Sequence, residues 1–158
     1  GDEPLMPPAL IRQVAENLQS HPQASAATLC ERITSFAELL DPHLVKVVMD
    51  KQGYALYFSR AAIPWDRDAF THSTGTQLSV LPARSEHYRH IGLYAYRAEF
   101  LQDYVQWPPC AIEQTESLEQ LRILWNGHKL HVAEALENPG IGVDTPDDLA
   151  RVQQSLKC

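Results

Sequence analysis

Residues 44–59 read Leu-Val-Lys-Val-Val-Met-Asp-Lys-Gln-Gly-Tyr-Ala-Leu-Tyr-Phe-Ser, and this stretch decides the fold class. Two β-rich runs, Leu44–Met49 and Tyr54–Ser59, flank Asp50-Lys51-Gln52-Gly53, and a four-residue gap ending in glycine suits a hairpin. Upstream, Pro7 and Pro8 open a segment in which Leu10, Ile11, Val14 and Leu18 recur at helical spacing until His21-Pro22 stops it. Ala26–Ile33 reads as a strand. Ser35–Leu40 reads as a short helix ended by Asp41-Pro42, because the residue before proline avoids the α region. Downstream, the pattern predicts a strand over Tyr88–Tyr96, a short helix over Ala98–Val105, a longer one over Thr115–Trp125 and a strand over Lys129–Ala135. A last helix is expected from Thr145-Pro146 to Leu156. Helices and strands alternating around one antiparallel pair, without a fixed repeat, predict an α/β layer with a mixed sheet. Pro64–Glu86 shows little periodicity, and an unstructured stretch of that length reads as an arm or lid.

Composition narrows the function classes. At 158 residues the chain has the size of one domain, able to bury roughly 68–70% of its unfolded surface. Its 13 Lys and Arg against 20 Asp and Glu give a net charge of −7, which repels phosphate backbones and anionic lipid. No basic cluster offsets this, and no apolar run approaches the ~20 residues that cross a bilayer. Neither a nucleic acid nor a membrane is an expected partner. Cys30, Cys110 and Cys158 form an odd set with no C-x-x-C pair, which suggests a reducing, cytoplasmic setting. The chain opens on Gly1-Asp2-Glu3-Pro4 with neither an initiator Met nor a signal segment, so residue 1 is not expected to be the natural start.

The strand from Tyr88 sorts its side chains by alternation, with Ile91, Leu93 and Ala95 on one face and Tyr88, His90, Gly92, Tyr94 and Tyr96 on the other. The second face offers donors, aromatic walls and space at Gly92 for a polar ligand, or else it packs under a helix or at a dimer contact. Two H-x-x-H patterns, His87 with His90 and His128 with His131, lie on or beside strands, where residues three apart point to opposite faces. They are not read as a zinc site. Glu113, Glu116 and Glu119 repeat every third residue, with Gln120 four after Glu116, along one flank of the expected helix. That run is either a solvated acidic face, with Glu119 pairing Arg122, or a binding flank. In Gly142-Val143-Asp144-Thr145-Pro146, Thr145 suits the N-cap, leaving Asp144 as a cation ligand unless it is itself the cap. Asp2 is either a ligand or part of a frayed terminus. Arg60, at the end of the hairpin, pairs with an anion or with a rim carboxylate.

Taken together, Gly1-Asp2-Glu3-Pro4, Tyr57-Phe58-Ser59-Arg60 with Ile63-Pro64-Trp65-Asp66-Arg67, Arg89-His90-Ile91-Gly92-Leu93-Tyr94, Glu116-Ser117-Leu118-Glu119-Gln120-Leu121-Arg122 and Gly142-Val143-Asp144-Thr145-Pro146 resemble the 3-deoxy-manno-octulosonate cytidylyltransferases. These are the CMP-KDO synthetases of lipopolysaccharide assembly. The resemblance implies a nucleotide-diphospho-sugar transferase-like α/β fold, a mixed sheet with flanking helices, in a homodimer that uses Mg2+. It implies nucleotidyl transfer from CTP to 3-deoxy-D-manno-octulosonate (KDO), giving CMP-KDO and pyrophosphate. By motif, Asp2 and Asp144 become the magnesium carboxylates and, with Arg60, the catalytic set. Arg60, His90, Tyr94, Glu119 and Gln120 become the sugar-acid pocket. The resemblance further implies that residues 1–158 are the C-terminal part of one cytidylyltransferase domain, that its N-terminal nucleotide-binding strands are missing, and that the chain alone is inactive. Residues 64–86 are read as a mobile or dimer-arm loop. The competing expectations are a cytidylyltransferase for another acidic sugar of the sialic type, or a silent fragment retaining only the sugar pocket and dimer surface.

Overall fold

The central hairpin forms one edge of a five-stranded sheet. In the computed structural model, which describes residues 5–70, 81–82, 86–140 and 153, β2 (Lys46–Met49) pairs antiparallel with β3 (Ala55–Ser59). Their turn closes as Gly53 N–H donates to Asp50 O at 3.0 Å, while Asp50 Oδ1 accepts from Gln52 and Tyr54 N–H at 2.8 and 2.9 Å. Gly53 sits at φ +83°, a region that costs a side chain strain but glycine little. β2 also pairs antiparallel with β4 (Tyr88–Tyr96), β4 antiparallel with β1 (Ala24–Arg32), and β1 parallel with β5 (Lys129–Glu134). The order β3-β2-β4-β1-β5 is the mixed sheet that the alternating pattern predicts.

Both faces of this sheet are covered. On one, α1 (Pro8–Ser20) buries Leu10, Val14 and Leu18 against Ala24, Ala27, Leu29 and Ile91. Each such side chain contributes roughly 1.5–3 kcal/mol when removed from water. The last carbonyls of a helix lack partners, and Arg97, just past β4, supplies them. Its Nη2 donates to Leu18 O and His21 O at 2.9 and 3.1 Å, and its Nε to Ala24 O at 2.7 Å. On the other face, α4 (Ala98–Tyr104), α5 (Ala111–Glu116) and α6 (Leu121–Trp125) bring Phe100, Leu118, Leu121 and Ile123 onto Ala26, Val47, Phe58, Leu130 and Val132. A third cluster joins α2 (Phe36–Leu40) to α3 (Arg67–Phe70) through Leu39 and Phe70.

The single helix expected over Thr115–Trp125 does not form. α5 ends at Glu116, Ser117 turns left-handed at φ 53°, and α6 starts at Leu121. The cause is a buried ion pair: Arg122 donates to both carboxylate oxygens of Glu113, with Nε to Oε2 at 2.7 Å. In one straight helix residues nine apart lie about 180° around the axis and face away from each other, so the chain must break for the pair to close. Arg122 thus belongs to Glu113 and not to Glu119, and the three glutamates do not share one flank. Leu118 and Leu121 are buried, whereas Trp125 at the end of α6 is 57% exposed.

Within 64–86, α3 packs Phe70 on Phe36 and Trp65 at 5.1 and 5.0 Å between ring centres, and His87 Nε2 donates to Pro64 O at 2.7 Å. These described ends are tied down. Residues 71–80 and 83–85, Asp2, Asp144 and all of the expected final helix except Gln153 lie outside the described residues.

A Cβ added at Gly53 would stand 2.8 Å from His131 Nε2 and 3.1 Å from Val132 O, at a φ that disfavours side chains. Gly53→Ala is therefore expected to lower the unfolding free energy by about 1–3 kcal/mol in urea titration, whereas Lys51→Ala, exposed on the same turn, stays within about 0.5 kcal/mol.

Candidate functional site

The site grows from a bulge in β4. Thr28 of β1 pairs with Tyr94 but Leu29 pairs with Ile91, so β4 carries two extra residues, Gly92 and Leu93, at this point. Two extra residues preserve the alternation, and the faces sort as the sequence predicts. Ile91, Leu93 and Ala95 lie with the α1 cluster, and Tyr88, Tyr94 and Tyr96 with the α4–α6 cluster. Thr28 holds the bulge. Its hydroxyl oxygen is fully buried, 3.0 Å from Ile91 O, 2.8 Å from Leu93 O and 3.0 Å from His90 Nε2. A hydroxyl has one proton, which must go to a carbonyl, so His90 Nε2–H donates to Thr28 and Nδ1 keeps its lone pair. Burial pushes the pKa of His90 down to about 3, which keeps the ring neutral.

The His90 ring stands 5.1 Å from Phe58 and 5.3 Å from Tyr94, and Tyr94 stacks on Tyr96 at 5.4 Å. The Tyr94 hydroxyl is buried without a hydrogen-bond partner among the described residues. Burial, with Tyr96 and Glu119 nearby, raises its pKa well above the usual phenol value, so it stays protonated and able to donate. Glu119 lies on the connection between α5 and α6, within electrostatic reach of Tyr94, and Tyr104 O–H donates to Glu119 O at 3.2 Å to hold that connection. Gln120, next in the chain, is 6% exposed. At Gly92 an added Cβ would meet nothing within 4 Å, so the bulge is open there.

Arg60 follows β3. Its Nε donates to Glu116 O at 2.8 Å and its Nη1 to Pro42 O at 3.0 Å. A guanidinium has five N–H groups, so three remain free of hydrogen bonds among the described residues. Of the five expected pocket residues, the structure brings His90 and Tyr94 into ring contact and ties Arg60 to Glu116, three residues before Glu119 in the chain, while Glu119 is within electrostatic reach of Tyr94. It is a face under helices that nevertheless keeps unsatisfied polar groups. Thr28 and Glu116 were not singled out for this site by their sequence. The signal for Thr28 is a lone hydroxyl in the apolar run Ala26-Ala27-Thr28-Leu29-Cys30.

The histidines of the second H-x-x-H pattern have structural partners: His128 Nδ1 shares a 2.7 Å hydrogen bond with Ser25 Oγ, and His131 Nε2 donates to Gln52 O at 3.0 Å. Among the described residues no three His, Cys, Asp or Glu come together in a way that suits a metal ion. No helix among them is long and apolar enough to cross a membrane. A separate cleft of about 630 Å3, lined by residues including Cys30, Met49 and Tyr88, contains none of the expected site residues. Its charged lining is Asp50, Glu86 and Glu134 against Lys51 alone, a poor match for an anion. Burial pushes its Cys30 thiol up to about 12, so it carries no thiolate nucleophile.

The mixed α/β fold has known counterparts. The family model described as Cytidylyltransferase matches residues 1–130, and the chain belongs to the cytidylyltransferase family. Within that family its relatives are specific. It is 58% identical over 157 residues to 3-deoxy-manno-octulosonate cytidylyltransferase of Pseudomonas syringae pv. tomato, and 53% identical over 156 residues to the protein of that name from Histophilus somni. Each match covers 99% of this chain and 60% of the relative, so the chain spans about three-fifths of their length. A solved structure of CMP:2-keto-3-deoxy-manno-octonic acid synthetase complexed with CTP superposes with a TM-score of 0.84 at 37% identity, covering 99% of this chain and 58% of that one. The expected C-terminal placement, with N-terminal nucleotide-binding strands missing, finds no support in these matches, which give how much of each relative is spanned and mark no strand as lacking.

Because folding holds His90 neutral to about pH 3 while an unfolded histidine protonates near 6.5, the unfolded state gains the proton first as pH falls. Stability is therefore expected to decline between about pH 6.5 and 3, by up to about 1.4 kcal/mol per pH unit from this group. Urea titrations across that window should show a shallower decline for His90→Gln; an equal slope would place the effect elsewhere.

Proposed function

We propose that the protein transfers a cytidylyl group from CTP to 3-deoxy-D-manno-octulosonate, releasing pyrophosphate and forming CMP-KDO for lipopolysaccharide biosynthesis, and that this chain carries the sugar-acid pocket. The observation that carries the reading is a guanidinium with three N–H groups free of hydrogen bonds among the described residues, together with a neutral imidazole on β4 and a buried phenol beside it that has no hydrogen-bond partner among them. A sugar acid presents one carboxylate and many hydroxyls. Arg60 suits the carboxylate, since a guanidinium fork pairs with it in two places. His90 Nδ1 accepts from a hydroxyl, the Tyr94 hydroxyl donates to one, and Glu119 and Gln120 offer further acceptors and a donor. Identity above 50% to two proteins named for this acid supports the same substrate.

No covalent enzyme nucleophile is needed. The anomeric hydroxyl attacks the α-phosphorus of CTP, its O–P bond forms as the bond to pyrophosphate breaks, and the hydroxyl proton is released. The residues act by holding the sugar in line and excluding water, which is where most of the rate gain of phosphoryl transfer arises. Asp2 and Asp144 are proposed to hold Mg2+, which when bound supplies positive charge to the phosphate oxygens. A homodimer is proposed on the strength of large apolar side chains left outside, with Leu56 62%, Trp65 56% and Val105 69% exposed, and 64–86 is proposed as its arm. Cytoplasmic placement rests on the two free buried thiols, Cys30 and Cys110.

Calorimetric titration with KDO, a sialic-type acid and CTP tests the pocket. Arg60→Ala is expected to weaken KDO binding about ten- to a hundredfold, the cost of about 1.5–3 kcal/mol for losing a charged hydrogen bond, with CTP affinity unchanged. Unaltered KDO affinity would remove Arg60 from the pocket, and tighter binding of the sialic-type acid would reassign the substrate. Asp144→Asn, nearly isosteric and still a competent cap, is expected to raise the Mg2+ concentration needed for turnover without moving the melting temperature. A lowered melting temperature with normal Mg2+ dependence would make Asp144 a cap alone.

A further inference from the structure

Glu116 grips Arg60 at both ends. Its carboxylate Oε2 accepts the backbone N–H of Arg60 at 3.0 Å, and its own main-chain O accepts the guanidinium Nε–H at 2.8 Å. The second carboxylate oxygen, Oε1, accepts the hydroxyl of Ser59 at 2.6 Å, and that hydroxyl in turn accepts Ala61 N–H at 3.0 Å. Ser59 is 3% exposed, so these bonds stand largely out of competition with water. One side chain from the end of α5 thus fixes three consecutive residues at the end of β3 and, through its backbone, the orientation of the guanidinium.

The charges around Glu116 make its ionised form matter. Lys46 is completely buried, and its ammonium donates to Asp41 O at 2.8 Å and to Leu44 O. It lies within electrostatic reach of both Arg60 and Glu116, the first disfavouring and the second favouring its charge. Two cations placed together repel, and for Lys46 the carboxylates of Asp41 and Glu116 offset the repulsion from Arg60. The neutral amide of glutamine would keep the shape but lose that charge and one of the two acceptor oxygens.

We infer that Glu116 is a positioning residue for sugar-acid recognition: it locks the Arg60 guanidinium so that its remaining N–H groups present a fixed fork to the substrate carboxylate, and it ties that fork to the connection bearing Glu119 and Gln120. This rests on the pocket reading above. It explains why, among the described residues, Arg60 is held at Nε and Nη1 by carbonyls, which orient it without neutralising it.

The test uses the chain and its Glu116→Gln, Arg60→Ala and doubly substituted variants, with KDO and CTP titrated separately. Glu116→Gln is expected to broaden or erase the Arg60 Nε–H magnetic resonance signal, to weaken KDO binding about tenfold, and to leave CTP affinity within about twofold. In the Arg60→Ala background the same substitution should change KDO affinity by less than about twofold, because its route of action is gone. A general loss of structure would instead lower both affinities and the melting temperature together. Normal KDO affinity in Glu116→Gln, while Arg60→Ala is impaired, overturns the role of Glu116 and spares the pocket. Normal KDO affinity in Arg60→Ala overturns the pocket and this role with it. Should Glu116→Gln fail to fold, Ser59→Ala removes one of the same bonds and keeps the charge. It is then expected to weaken KDO binding by a few-fold with CTP unaffected, and equal loss for both ligands would refute the inference.

Discussion

A single hydroxyl, that of Thr28, sets the geometry on which the rest of the site depends. It is buried at the centre of the sheet, where an unpaired polar group costs about 1–3 kcal/mol, and it meets two carbonyls and one imidazole at once. The carbonyls are those of Ile91 and Leu93, on either side of Gly92 in the β4 bulge. Satisfying the hydroxyl therefore fixes the bulge, and with it the turn of the strand that carries His90 and Tyr94. The same bond decides which nitrogen of His90 keeps a lone pair. Fold and chemistry meet at one atom.

A second constraint acts on the opposite wall. The sheet is covered on both faces, so α5 and α6 must pass over the aromatic side of β4 while burying Leu118, Leu121 and Ile123. The Glu113–Arg122 pair breaks the path between them. The break puts Glu119 within electrostatic reach of Tyr94 and leaves Glu116 at a helix end from which it reaches Ser59 and Arg60. A pair of this kind adds little net stability over an apolar pair but imposes one arrangement, which is what a site needs.

Much of this was legible in the sequence. The hairpin was readable because Asp50 and Gly53 are turn residues with local reasons to be there, and the two faces of β4 because alternation is a property of the strand itself. The five residues of the proposed pocket came from motifs. What local patterns hide are features made by distant partners. The helix break depends on Arg122 finding Glu113, and the bulge depends on Thr28, more than sixty residues from the carbonyls it serves. Glu116 looked like one member of an acidic series because its partners, Ser59 and Arg60, lie over fifty residues away. Asp2 and Asp144 rest on their motifs alone, since both lie outside the described residues.

The central claim is that the acid-recognising surface of this cytidylyltransferase chain is the β4 face with Arg60, and not the cleft beside Cys30. Mapping backbone and side-chain magnetic resonance shifts as KDO is added tests this most directly, because it reports every residue at once. The account predicts that the largest changes fall on the Arg60 guanidinium, the His90 ring, Tyr94 and Gln120, with Cys30, Met49 and Tyr88 little affected. Changes confined to Cys30, Met49 and Tyr88, with Arg60 and His90 still, would contradict it.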